Sequence, residues 1–568
     1  MKKVTQNLRP SLVYLTDKRW FIRALEIFPG LITWTFLLTP IVLSLIHPLF
    51  VAYFIIAFDL FWLIKSLRLS GYLVRGYRKL HRAEKVNWSD QLRRLRTPDK
   101  YLVEAEANLS AHLHKFPRSR SILHFTLAGR RQRQTYLELA AEVKRMRGIT
   151  ERQSVILDPK SLYHAVILAT YNESIDIVEP SVQALLDADY PAAQIMLVIA
   201  YEERGGKETE KNAKQLIEKY GNQFAYAAAI KHPDGIKGEV IGKGGNITYA
   251  GRKLTEYITE QNIDPEHVIV TTLDADHRPS KQYFAYLSYE YAINPNRVRK
   301  SYQPVPMFHN NIWDAPAPMR VIATSNSFWL IIETMRPHRL RNFAAHAQSL
   351  RALIDTDYWS VTTIVEDGHQ YWRSYFTFDG DHQVVPLFVP IYQDAVLADT
   401  YMQTFKVQFR QLRRWAWGVS DFSYVVCNAI RNKNIKLLDK LIQIGRLLEG
   451  HFSWATAALL ISFVAWLPLV LNYEFSQTVL AHQLPIIASR IQNVAMVGLI
   501  ITVAISMISL PPRPARYGKR RSLAMILQWS LLPITSVVFG SFAAINSQTR
   551  LMFGRYLDFQ VTEKSRRK

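Results

Sequence analysis

The chain of 568 residues carries 70 Lys and Arg against 47 Asp and Glu, a formal net charge of +23, with 49% hydrophobic and 12% aromatic residues. That composition excludes a disordered or collagen-like chain and leaves room for several domains. The one cysteine, Cys427, excludes an intrachain disulfide and any cysteine-based zinc or iron–sulfur site, and fits working parts that face a reducing cytosol.

Residues 28–46 (FPGLITWTFLLTPIVLSLI) are uncharged, and beyond His47 a second apolar stretch, 48–64, is broken by Asp59 alone. Each is long enough, or nearly so, to cross a hydrocarbon core of about 30 Å at about 1.5 Å per residue. Residues 1–66 therefore read as a tail and a transmembrane hairpin. A cleaved signal peptide fits less well, because the apolar part starts late and no small-residue cleavage site separates the two spans.

The tail (Lys2, Lys3, Arg9, Lys18, Arg19, Arg23) and the segment after the hairpin (Lys65, Arg68, Arg75, Arg78, Lys79, Arg82) are both basic, whereas the connection between the spans has no Lys or Arg. The bias places the tail and the following domain in the cytoplasm, in a plasma (inner) membrane protein. Residues 67–155 form a basic juxtamembrane segment: in 65–152, 21 Lys and Arg face 8 Asp and Glu, more than half of the whole excess. Two readings stand for it: attraction to anionic lipids or an anionic donor, or a solvated topogenic face. Nucleic acid is not a partner, since the segment has no recognisable binding module and no repeated aromatic stacking pattern.

From Tyr163 short apolar runs alternate with amphipathic stretches. YHAVILA (163–169), IMLVIA (195–200), AYAAAI (225–230) and HVIVTTL (267–273) read as buried strands, and 178–187, 208–220 and 246–260 as helices. Alternation of this kind implies a Rossmann-like, mostly parallel sheet over residues 156–420, with ligands outside the carboxyl ends of the strands. The first strand runs into Thr170-Tyr171-Asn172-Glu173 and the fourth into Asp274-Ala275-Asp276-His277. Two carboxylates one residue apart at a strand end can hold a hard divalent cation or touch a ribose. Between them Gly242-Lys243-Gly244-Gly245-Asn246 opens a helical stretch, either a phosphate-binding turn or an ordinary glycine-rich one; it is not a Walker A loop.

Farther on, Glu366-Asp367 precedes a helix-like stretch, and Gln411, Arg414 and Trp415 fall on an amphipathic helix with Gln411 and Trp415 on one face. Residues 421–451 read as interfacial helices. Apolar stretches at 452–471, 494–510 and 523–545 give about three C-terminal transmembrane helices within 452–547, and 548–568 is a basic tail. Three spans would put that tail outside, although Arg550, Arg555, Lys564, Arg566, Arg567 and Lys568 make it as basic as the loop around Arg513 to Arg521. Pro468 and Pro533 are places where a span could be a re-entrant pair, so an even number of crossings also stands.

Taken in order, TYNE, Asp-x-Asp, Glu-Asp and Gln-x-x-Arg-Trp between flanking membrane segments resemble the membrane-embedded processive family 2 glycosyltransferases, the group of cellulose and hyaluronan synthases. The resemblance covers roughly residues 160–420 by motif and the remainder by layout. It implies a GT-A α/β glycosyltransferase domain inserted between N- and C-terminal transmembrane helices, acting as an inverting, metal-dependent hexosyltransferase. The implied donor is a nucleotide sugar, a UDP-sugar by preference, and the acceptor a growing polysaccharide, with synthesis coupled to export. A single addition to a lipid-linked acceptor is the alternative, and a catalytically silent nucleotide-sugar or lipid-binding membrane regulator the lesser one.

The roles implied by the resemblance fall on particular positions. Thr170, Tyr171 and Glu173 match the loop for base and ribose, with Glu202 a further donor contact; Lys243 and Asn246 match a Lys-x-x-Asn segment near the nucleotide. Asp274 would meet the nucleotide or metal-bound diphosphate, and Asp276, with Asp274, would hold Mg2+ or Mn2+. Glu366 and Asp367 are the catalytic pair, Asp367 the general base, and Gln411, Arg414 and Trp415 would close over the diphosphate and floor the acceptor site. Val365 stands where the family has Thr, and no Cys-Gly-Ser segment precedes Asp367.

Overall fold

The computed structural model describes residues 19–121 and 126–559. Lys2, Lys3, Arg9 and Lys18 of the N-terminal tail, and Lys564, Arg566, Arg567 and Lys568 of the C-terminal one, lie outside the described residues. Helix α1 (Arg19–Ile46) turns at His47 into α2 (Pro48–Ala83), whose Pro48 suits a first helical turn because its missing N–H has no partner there anyway. Leu31, Leu38, Val42, Leu45 and Phe50 are exposed, whereas Val51, Ala52 and Ile55 pack inward against Leu460, Val464 and Leu484 of helices close to the C-terminus. The last turns of α2 leave that bundle and pack on the α/β domain. The basic segment folds as a helical hairpin, α3 (Pro98–Lys115) and α4 (Leu127–Thr150). Trp88, stacked on Tyr286 at 3.9 Å between ring centroids, docks the start of this segment on the domain.

The domain is built on an eight-stranded sheet. Its elements are β1 (Tyr163–Thr170), α5 (Ile175–Leu186), β2 (Ile195–Glu202), α6 (Gly206–Tyr220), β3 (Tyr226–His232), α7 (Lys243–Glu260), β4 (Val268–Asp274), β5 (Arg278–Pro279), α8 (Tyr283–Ile293), β6 (Lys300–Met307), α9 (Ala317–Thr334), β7 (Ala347–Ser349), α10 (Glu366–Thr377) and β8 (Gln383–Tyr392). The strand order is β3-β2-β1-β4-β7-β6-β8-β5. Strands β3, β2, β1 and β4 are parallel, and β6 is parallel to β8. Short β7 runs antiparallel to both β4 and β6, so the sheet is mixed.

Val166 and Leu168 enter the larger core with Leu197 and Ile199, while Ala165 and Ile167 pack with Val198, Ile247 and Leu254 of the opposite layer. Burial on both faces explains why these strands are continuous apolar runs without a polar alternation. The parallel register sets Thr170 beside Tyr201, and Ala169 beside Asp274. The ends of β1, β2 and β4 thus form one polar edge.

After β8 come α11 (Tyr401–Ala416), α12 (Asp421–Arg431), α13 (Leu437–Phe463) and α14 (Val479–Ser509). Short turns extend α13 to Leu471. A last segment, Lys519–Met552, is helical but broken by a 3-10 turn at Gln528–Leu531 and a π-helical stretch at Ser536–Ser541. Among the described residues, five segments are long and apolar enough to cross a membrane: α1, α2, Leu437–Leu471, α14 and Lys519–Met552. The side chain of Asn472 donates to the Leu45 carbonyl at 3.1 Å, so the α1–α2 and α13–α14 turns share one end of the bundle. At the other end Arg516 pairs with Asp314 at 2.7 Å, and Arg521 donates to the Trp313 carbonyl at 2.6 Å, both on the α/β domain. The far end of the last segment is also on the domain side: Ser547 donates to the Arg413 carbonyl at 2.5 Å, and Arg23 at the start of α1 to the Leu551 carbonyl at 2.8 Å.

Candidate active site

The polar edge begins where β1 stops. The Tyr171 amide donates to Glu173 at 2.8 Å, which turns the chain, and the Tyr171 carbonyl accepts from Thr209 at 2.6 Å. A Cβ at Gly205 would run into that same carbonyl, so only glycine lets the two loops approach this closely. Glu202, buried at the end of β2, forms an ion pair with Arg204, whose guanidinium lies 5.1 Å from the centre of the Tyr171 ring. Burial pushes the Glu202 carboxyl up, and Arg204 pulls it back in part.

Asn246 is buried, and its amide donates to the Ala200 carbonyl at 2.9 Å and to the Thr170 carbonyl at 3.5 Å. Its N–H groups thus brace the ends of β1 and β2. Thr170 is buried against the same Ala200 carbonyl at 3.5 Å.

Lys243, the first residue of α7, reaches back over this edge. Its ammonium is 2.7 Å from one Asp274 oxygen and 3.9 Å from Asp367 Oδ1, so one cation bridges the end of β4 and the start of α10. Burial opposes its charge, yet Asp274, Asp367 and Glu366 together hold its pKa above the ordinary lysine value. The glycine after it is obligatory: a Cβ at Gly244 would overlap the Ser360 carbonyl on the segment leading to α10.

Past β4, Asp274, Asp276 and His277 offer ligand atoms that all lie within 4.8 Å of one another. Asp276 and His277 are buried, Asp276 Oδ2 accepts the Asp394 amide at 2.8 Å, and the Asp274 amide donates to His277 Nδ1 at 3.2 Å. Two carboxylates and an imidazole with orientations fixed in this way fit a hard or borderline divalent cation such as Mg2+ or Mn2+. The neighbouring Asn310 donates to the Asp276 carbonyl at 2.9 Å, which ties the loop after β6 to the same place.

The other wall is the start of α10. Glu366 is buried, and burial together with the adjacent Asp367 carboxylate pushes it up to about 8, with Lys243 and Arg414 pulling the other way. Asp367 Oδ1 is buried and has no hydrogen-bond partner among the described residues; His346 Nδ1 lies 3.7 Å from it. Helix α11 carries Gln411, which accepts from Gln408 at 3.0 Å, and Arg414, whose guanidinium lies 5.1 Å from the Phe559 ring. Phe559 also covers Gly242 beside Lys243, so the chain after the last helical segment returns to the site. Trp415 packs into the apolar cluster around Phe308, Ile312 and Trp313, at the junction of domain and bundle.

Of the residues singled out, Asp274, Glu366 and Asp367 gather around Lys243, while Thr170, Tyr171, Glu173 and Glu202 lie at the ends of β1 and β2, Trp415 at the bundle junction and Asn246 in the brace. Arg204, His277, His346 and Phe559 were not singled out. His277 stood in plain view beside Asp276. His346 and Phe559 had no sequence signal, since each reaches the site only through the fold.

Neither a family model nor a curated protein sequence matches the chain. Among solved structures it is similar to the mannosyltransferase PcManGT from Pyrobaculum calidifontis in complex with GDP-Man and Mn2+, at 14% identity over 70% of this chain and 89% of that one, with a TM-score of 0.40. It is similar to S. aureus TarS 1-349 in complex with UDP-GlcNAc at 15% identity, over 70% of this chain and 94% of that one, with a TM-score of 0.33. It is also similar to GalNAc-T7 with UDP, GalNAc and Mn2+ at 11% identity, over 51% of this chain and 58% of that one, with a TM-score of 0.30.

Proposed function

We propose that this chain is an integral membrane glycosyltransferase that moves a sugar from a nucleotide-sugar donor, UDP-linked by preference, to a saccharide acceptor with inversion at C1. The observation that carries the reading is the single Lys243 ammonium within 4 Å of both Asp274 and Asp367. It joins a strand-end carboxylate of the Asp274-Asp276-His277 group to an open carboxylate on the opposite wall. A donor diphosphate against the first wall would present its sugar C1 to an acceptor hydroxyl at the second.

The acceptor oxygen attacks C1 as the bond from C1 to the diphosphate oxygen breaks, and the leaving nucleoside diphosphate takes the electron pair. The acceptor's proton passes to Asp367, an effect worth about 10²–10⁴-fold in rate. Glu366, held protonated through neutral pH by its burial, leaves Asp367 as the carboxylate that takes the proton. Lys243 and Arg414 face the charge that builds on the diphosphate. A divalent cation held by Asp274, Asp276 and His277 would supply further neutralisation of that charge. Thr170, Tyr171, Glu173, Glu202 and the Arg204 beside it are placed to receive base and ribose.

The chain spans the plasma (inner) membrane with the catalytic domain cytoplasmic. Helices α1, α2, α13 and α14 cross, and Lys519–Met552, with both ends on the domain side, lies in the interface and keeps the basic tail inside. Extension of a polysaccharide coupled to export is the preferred activity. A screen of purified full-length protein against several nucleotide sugars tests the reading through nucleoside diphosphate release. No release from any donor overturns the transferase reading, and one-sugar lipid products in place of long retained chains overturn extension.

A further inference from the structure

His346 lies on the short approach to β7, outside every motif of the chain, yet it is 1% exposed and faces the start of α10. Its Nδ1 is 2.9 Å from the Phe343 carbonyl oxygen. A carbonyl only accepts, so Nδ1 carries the proton. Nε2 is then the acceptor, and the Trp359 indole N–H points at it from 3.4 Å. The ring is therefore held in one tautomer from both sides, with its N–H edge toward Asp367.

The backbone on either side of this pair is strained. Ala345 has φ of 67°, and Asp357 and Tyr358, which precede Trp359, have φ of 52° and 55°. None is glycine, and side chains in the left-handed region are uncommon and cost free energy; such strain collects at functional sites.

We propose that His346 is a positioning residue for the transfer reaction, whose pinned imidazole sets the rotamer of Asp367 by packing against its carboxylate. The inference rests on the reading of Asp367 as the base. The Nδ1 proton goes to the Phe343 carbonyl, and at 3.7 Å the ring leaves the Asp367 lone pairs free while standing in contact with the carboxylate, which limits where that oxygen can swing. The base is thus held in place and stays open. Burial keeps the imidazole neutral, against smaller pulls from Asp367 and the Phe343 carbonyl, so His346 does not compete as an acid. The charged and titratable groups around Asp367 are Lys243 from α7, Glu366 beside it on α10, Arg414 reaching Glu366 from α11, and His346 itself.

The test uses full-length protein in detergent, with kcat and KM measured for wild type, His346→Ala, His346→Asn and Asp367→Asn, and donor affinity as the check on folding. His346→Ala should lose about tenfold or more in kcat, within what a group acting on a charged partner contributes, with donor KM and affinity within about twofold. His346→Asn, whose amide N–H can stand in for Nδ1–H, should recover most of the loss. An unchanged kcat in His346→Ala, with Asp367→Asn inactive, overturns the inference and leaves the transferase reading in place. Equal losses of donor affinity in Ala and Asn variants show a merely structural role and also overturn it. An active Asp367→Asn overturns both the inference and the base assignment.

Discussion

The two walls of the site treat their polar groups differently. At the strand ends Glu202 is paired with Arg204, Asp276 accepts the Asp394 amide, and the Asn246 side-chain N–H groups are shared between two carbonyls. At the start of α10, Glu366 Oε2 and Asp367 Oδ1 are buried with no hydrogen bond among the described residues. Asn246 Oδ1 at the strand ends is unmet as well. An unmet buried acceptor costs about 1–3 kcal/mol, so the α10 wall, with two open carboxyl oxygens, gives up more stability than the strand-end wall. Most polar groups of the strand-end wall are met by the fold, whereas the carboxyls of the α10 wall are left open. Binding should therefore depend on the first and turnover on the second.

Asp367→Asn puts the sharpest strain on that contrast. It should lower kcat by about 10²–10⁴-fold while donor affinity, measured by titration calorimetry, changes little. A comparable fall in donor affinity would erase the distinction between the walls. Chelation, or Asp276→Asn, should come next, reducing nucleoside diphosphate release by roughly 100-fold, with added Mg2+ or Mn2+ restoring only the chelated wild type. Glu202→Gln should act on binding, raising donor KM by about tenfold with kcat held, because it removes the partner of Arg204 beside the Tyr171 ring.

The smallest effect concerns stability and pH. Glu366 has a folded pKa raised to about 8 by burial and by Asp367, so its contribution is fully present below the ordinary carboxylate pKa and is lost as pH rises through about 8. Glu366→Gln, which mimics the protonated form, should match wild type in unfolding temperature near pH 4 and exceed it by a margin that grows up to about pH 8. A wild type that still matches the Gln variant at pH 9 would mean that Glu366 is not the open, buried carboxyl of the α10 wall.

Much of the strand-end wall was legible in the chain. Thr170, Glu202 and Asp274 close strands whose apolar runs are plain, and in a parallel sheet adjacent strands must end on the same side. The pairing of Glu202 with Arg204 was equally local. The bridge by Lys243 was not, since it needs the start of α7 to be packed against Ser360, a contact between segments more than a hundred residues apart that Gly244 permits. Asn246 belonged to a motif-like stretch, and its side-chain N–H groups brace two strand-end carbonyls, contacts that no local pattern announced.

The membrane segments divide along the same line. Apolar length marked five helical segments, because crossing hydrocarbon demands a run of apolar residues whatever surrounds it. Length alone was silent on where the ends go. Lys519–Met552 returns to the domain side because Arg521 meets Trp313 and Ser547 meets Arg413, contacts that no local pattern encodes.

The sequence by itself determined the alternation of buried strands and amphipathic helices, the apolar lengths at both ends, and the carboxylates at strand ends, since each follows from neighbours along the chain. Only the tertiary structure decided that β7 would make the sheet mixed, that His346 and Phe559 would enter the site, and that Asp367 would stand open beside Lys243. Those depend on which distant surfaces pack together, and packing is set by the summed complementarity of whole layers, which no single segment carries.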